Sequence, residues 1–142
     1  MTEETPKMSA AETAGRAMVA RTSFEKEAVW LPLLAVNHWN TGEMAIADKT
    51  FTDCVIEGPA VMAVMDGTVF DNCNMGTAAN PRNLLVKPLG DKMAGVVGMS
   101  RCRFVRCRFV QIAFTGSDAL LAELEQGIGA GNDAMAKAGE AQ

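Results

Sequence analysis

The chain has 142 residues, of which 49% are hydrophobic and 21% charged, and its formal net charge is −4. That length accommodates one domain with a core of its own, the composition excludes disorder throughout, and the mild acidity excludes a large basic footprint for nucleic acid. Ala28 to Val36, the longest uninterrupted apolar stretch, falls far short of a membrane span, and the start MTEETPKMSAAE lacks the apolar run of a secretory signal. A cytoplasmic location without a membrane span is therefore expected, with Cys54, Cys73, Cys102 and Cys107 as reduced thiols.

In chain order, Ser9-Ala-Ala-Glu12 has the form of a capping box and predicts a short helix through Ala20 within an N-terminal segment, 1–21. Gly15 inside it costs about 1 kcal/mol of helix propensity. Phe24, Val29 and Leu34 then step by five, so Thr22 to Val36 reads as an incomplete first coil of a repeat. Trp30 and Trp39 would cover its edge, and Pro32 is tolerated on an edge strand. His38 falls at a predicted turn, as a surface or edge-packing residue with no nucleophile or acid motif beside it.

From Ile46 the step of five is explicit: Ile46, Phe51, Ile56 and Val61, then Met65, Phe70 and Met75, and finally Met99, Phe104, Phe109 and Phe114. Neither a helix nor an ordinary strand has that period. A small side chain precedes many of these residues by two positions, as Cys54 precedes Ile56, Thr68 precedes Phe70, Cys73 precedes Met75, Cys102 precedes Phe104 and Cys107 precedes Phe109. Such units, clearest in Cys102-Arg-Phe-Val-Arg, Cys107-Arg-Phe-Val-Gln and Ile112-Ala-Phe-Thr-Gly, resemble the pentapeptide-repeat family over about half of the chain. The resemblance implies a quadrilateral coil in which the large residue and the small one two before it point inward. A related irregular β-helix would bury the same residues.

The expected fold class is thus an all-β solenoid, a small right-handed parallel β-helix over 22–116 with a C-terminal capping helix. Phe51-Cys54-Ile56 and Phe70-Cys73-Met75 are offset by 19 residues, which places them on adjacent coils, and Phe104-Cys107-Phe109 follows as the last full coil. The Pro- and Gly-containing stretch 76–98 reads as an inserted loop. Ser117 and Asp118 can cap a helix over 117–127 whose Leu120, Leu121 and Leu124 face the mouth of that coil and which Gly127 ends. Residues 128–142 read as a flexible tail.

With no CxxC and His38 as the one histidine, the cysteines read as a ladder of small core residues rather than a metal set, and neither a cofactor nor catalytic residues are expected. Gly127-Ile-Gly-Ala-Gly131 follows a helix instead of joining a strand to one, so it is not a phosphate loop. The candidate interaction residues are Arg101, Arg103, Arg106 and Arg108, a basic strip pointing outward on the last coil. Neutralisation by acids in the same columns, with Asp53 aligned to Arg106 and Asp71 nearby, is its alternative use. The expected function is a noncatalytic binding or scaffold module presenting β-helix faces to a protein partner or to a second copy. The alternatives are phosphate or nucleic-acid binding through the arginines and an enzyme with its cleft at the 76–98 insertion. Some pentapeptide-repeat proteins are acidic dimers that imitate DNA, a role that a short chain with a basic last coil does not suit.

Overall fold

A computed structural model describes residues 9–76, 80–90 and 94–128. Helix α1 (Ala10–Ala20) begins where Ser9 Oγ accepts the Glu12 amide at 3.1 Å. Strands β1 (Ser23–Glu25) and β2 (Ala28–Trp30) lead into helix α2 (Leu31–Asn40). Strands β3 (Ala45–Ala47), β4 (Thr50–Thr52), β5 (Val55–Val64) and β6 (Val69–Asp71) follow, and a 3-10 turn at Pro81–Leu84 lies on the way to β7 (Val97–Ser100), β8 (Arg103–Val105) and β9 (Arg108–Thr115). Residues 118–128 form helix α3. No helix among the described residues is long and apolar enough to cross a membrane.

Every strand pairing among the described residues is parallel. One sheet has the order β1-β4-β8-β6, and in the other β5 pairs β2, β7 and β9 while β3 pairs β7. In parallel strands held in register, equivalent inward positions repeat directly above one another. Phe24, Phe51, Phe104 and Phe70 are such partners, with ring centroids 4.8, 4.8 and 5.3 Å apart and planes within 12° of parallel. The Arg21 guanidinium, 4.1 Å from the Phe24 centroid, covers the open end of this column.

The stacking order differs from the one that the 19-residue offset predicts. Phe51 pairs with Phe104 and Phe104 with Phe70, so the 97–115 tier lies, over residues 97–110, between those of 45–57 and 62–75. The other pairings agree: Met99 sits between Ile46 and Val64, and Arg108 between Val55 and Asn74. Burial supplies the physical reason, because a middle tier loses water on both sides. The 97–115 tier has Met99, Cys102, Phe104, Cys107, Phe109 and Phe114 to bury there, whereas Met65 and Val69 of the outer tier remain exposed.

The strand segment at the place of the expected first coil is also shorter than predicted. After Trp30 the chain turns helical, so 31–36 belongs to α2 and not to an edge strand. Pro32 lies in the first turn, where its missing N–H costs nothing, and Leu31, Leu34, Ala35 and His38 at spacing i, i+3, i+4, i+7 form one buried face. His38 is accordingly a core residue, 1% exposed, and not a surface one at a turn. Gly15 explains itself here: a Cβ on it would stand 2.5 Å from Asn37 Oδ1, so glycine lets α1 and α2 approach. Lys49, 4% exposed, ties this hairpin to the sheets by donating from Nζ to the carbonyls of Val19 and Arg21 at the end of α1.

At the other end, Ser117 Oγ accepts the Leu120 amide at 3.2 Å, and Leu124 joins the core. The ion pairs Arg82–Glu125 (2.9 Å) and Lys87–Asp118 (3.2 Å) fasten α3 to the 76–98 insertion. Gly127 does not end this helix, which includes a buried Ile128, placed in the tail by the sequence pattern. The rest of that expected tail, 129–142, lies outside the described residues.

Candidate functional site

The short strands are joined by single residues with positive φ, and their side chains project from the corners. One corner column runs Lys26, Asp53, Arg106, Asn72, with φ from 50° to 53°; a second contains Asp48 and Arg101, at 59° and 51°, with Gly67 in the outer tier. Short polar side chains and glycine suit this region, whereas arginine there is uncommon. Stacking sets opposite charges against each other. Arg106 Nε donates to Asp53 Oδ1 at 2.8 Å, and Arg101 Nε donates to Asp48 Oδ1 at 2.7 Å, each with a second contact to the other carboxylate oxygen. These charge-assisted bonds hold the Asp48 and Asp53 carboxyls below their ordinary value.

All four arginines of the strip are exposed, as the in/out pattern predicts, but their charge is largely matched. Arg103 adds a looser pair with Asp71 at 3.8 Å. Among the described residues only Arg108 of the four has no carboxylate within 4.0 Å. It borders a cavity of about 280 Å³ lined also by Asn74, Leu84 and Gln111. Among the described residues, that cavity, next to the insertion, gathers no acid, base or nucleophile, and no three His, Cys, Asp or Glu side chains converge as a metal would need. His38 is used structurally, with Nδ1 2.8 Å from the Leu34 carbonyl and Nε2 3.7 Å from Glu43.

The cysteines occupy inward positions and follow one pattern. Cys54 donates to the carbonyl of Phe24, Cys107 to that of Phe51 and Cys73 to that of Phe104, each at 3.3 Å, so every thiol reaches the strand stacked next to its own. Burial pushes the Cys54 and Cys102 thiols up. Cys73 departs from the expectation that all of these thiols are enclosed and inert. It is half-buried on the outer tier, and the neighbouring Cys107 thiol lowers it to about 7, while the same neighbour and burial raise Cys107. Of this pair Cys73, which water reaches, loses its proton first.

The feature that sequence reasoning missed is the outer face of α2. Trp30, 54% exposed, is followed at steps of three by Leu33, Val36 and Trp39, all exposed, and Met44, 79% exposed, lies in the segment after the helix. No residue of α2 is an acid, a lysine or an arginine. The apolar run Ala28 to Val36 carried this signal, but its assignment to a coil, which correctly put Val29 and Leu34 inward, left the helical face of Leu31, Ala35 and His38 and the outward row unread. No family model, curated protein or solved structure matches the chain.

Proposed function

We propose that the chain is a noncatalytic binding module, a small right-handed parallel β-helix whose α2 face pairs with a second copy of itself. The observation that carries this reading is the exposed row Trp30, Leu33, Val36 and Trp39, with Met44 in the segment after it. Exposed apolar side chains with aromatic anchors and little charge are the composition of an interface core. A second copy is favoured because a two-fold arrangement sets each α2 against its own like, and a helix without acids, lysines or arginines meets itself with little repulsion. The strand edge beside it is unsuited to that task, since Glu25, Lys26 and Glu27 charge the edge formed by β1 and β2.

Light scattering on the purified chain tests the reading. A dimer is expected, and the Leu33→Glu, Trp39→Glu double variant should run as a monomer with an unchanged circular dichroism spectrum. A monomeric wild type at about 100 μM, a concentration at which even a micromolar interface is populated, would overturn it. The arginine strip supports a second reading, phosphate binding, only at Arg108, whose guanidinium lacks a carboxylate partner among the described residues. Loss of phosphate-dependent thermal stabilisation in Arg108→Glu, with the paired arginines untouched, would favour that alternative.

A further inference from the structure

Cys73 and Cys107 face each other across two paired strands. Phe70 pairs with Phe104 and Asn74 bridges Arg108, so the same register sets Cys73 opposite Cys107, and both thiols aim at a carbonyl on the same side. Paired strands are about 4.8 Å apart, within the ~4.4–6.8 Å that a disulfide spans between Cα atoms. Each thiol donates to a carbonyl of the next tier, Cys73 to Phe104 and Cys107 to Phe51, so the two side chains lean the same way along one column. Cys54 flanks Cys107 on the other side, but Cys54 and Cys107 are each 1% exposed, which leaves Cys73 as the one member of the column that a solute reaches.

We propose that Cys73 and Cys107 form an oxidisable pair, in which Cys73 reduces a hydroperoxide and Cys107 resolves the product into an intrachain disulfide joining the outer tier to the middle one. The Cys73 thiolate attacks the distal peroxide oxygen, the O–O bond breaks, and the leaving alkoxide or hydroxide takes a proton from water. Cys73 is then a sulfenic acid. The Cys107 sulfur attacks the Cys73 sulfur, the S–O bond breaks, and the departing hydroxide leaves as water with the proton of the Cys107 thiol. Two thiols lose two electrons and two protons, and one peroxide becomes one water and one alcohol or water. The neighbouring Cys107 thiol holds Cys73 below the ordinary thiol value, which suits the first step. Small thiols reverse the bond, so the staple follows the redox state of its surroundings.

The test uses the folded wild-type chain, treated briefly with hydrogen peroxide, denatured and alkylated. The expected result is loss of alkylation at two of the four thiols, a mass lower by two hydrogens before alkylation, and peptic peptides joined through Cys73 and Cys107. Cys54→Ser should leave the bond intact. Cys107→Ser should instead accumulate Cys73 sulfenic acid, trapped by dimedone. Full alkylation after treatment, a bond between Cys54 and Cys107, or a Cys73 bond between two chains would each overturn the assignment.

Discussion

The units Cys107-Arg-Phe109 and Cys73-Asn-Met75 share one pattern of small and large inward residues, yet they live in different surroundings. The first belongs to the middle tier, where Cys107 is 1% and Phe109 3% exposed; the second lies on the outer tier, where Cys73 and Met75 are half-buried. Position in the stack, and not the repeat itself, decides how deeply an equivalent side chain is enclosed and whether it can react. The same contrast separates the corners: Arg106 meets Asp53 on the inner side, whereas Asn72 ends the column.

The largest expected effect on that contrast comes from its rings. Phe104 is fully buried and stacked on both faces, while Phe70 stacks on Phe104 with one face, meets Phe109 and Phe114 edge-on and is partly exposed. Phe104→Ala should cost ~3–5 kcal/mol in urea denaturation and Phe70→Ala about half as much. Equal losses would mean that the 97–115 tier does not lie in the middle.

Acid sharpens the comparison next. A carboxyl whose folded value lies below its unfolded one contributes stability fully above the unfolded value, here 3.8, and that contribution disappears as pH falls through the folded value. Wild type should therefore be more stable than Asp53→Asn at pH 6, and the two should converge only as pH falls below 3.8 and through the lower folded value. A difference that persists at low pH would assign the effect of Asp53 to backbone geometry instead of its ion pair.

The smallest effect is expected at Arg103, whose contact with Asp71 is long and exposed. Arg103→Ala should change stability by less than about 0.5 kcal/mol, since it empties no part of the column. A larger loss in urea denaturation would show that the outer tier depends on this pair.

Much of the architecture was legible along the chain. The step of five named Phe51, Phe104 and Phe109 as core, and Ser9 with Glu12 marked the start of α1. The outward direction of the arginines and the inward one of the cysteines followed from the same spacing. α2 was misread because Leu34 satisfies both a step of five and a helical face, and no local preference separates them once Pro32 fits either an edge strand or a first turn.

What the sequence by itself determined is the alternation of inward and outward side chains, because that depends on each residue's neighbours in the chain. Which strands meet was decided only in three dimensions. The connection through 76–96 is long enough to bring β7, β8 and β9 back between strands already passed, and loop closure costs little more for a longer loop. The choice then rests on contacts between residues far apart in sequence: Phe104 against both Phe51 and Phe70, Arg106 against Asp53, and Arg101 against Asp48. That order also gives Cys73 its place beside Cys107, since no offset in the repeat distinguishes an enclosed thiol from one at the edge.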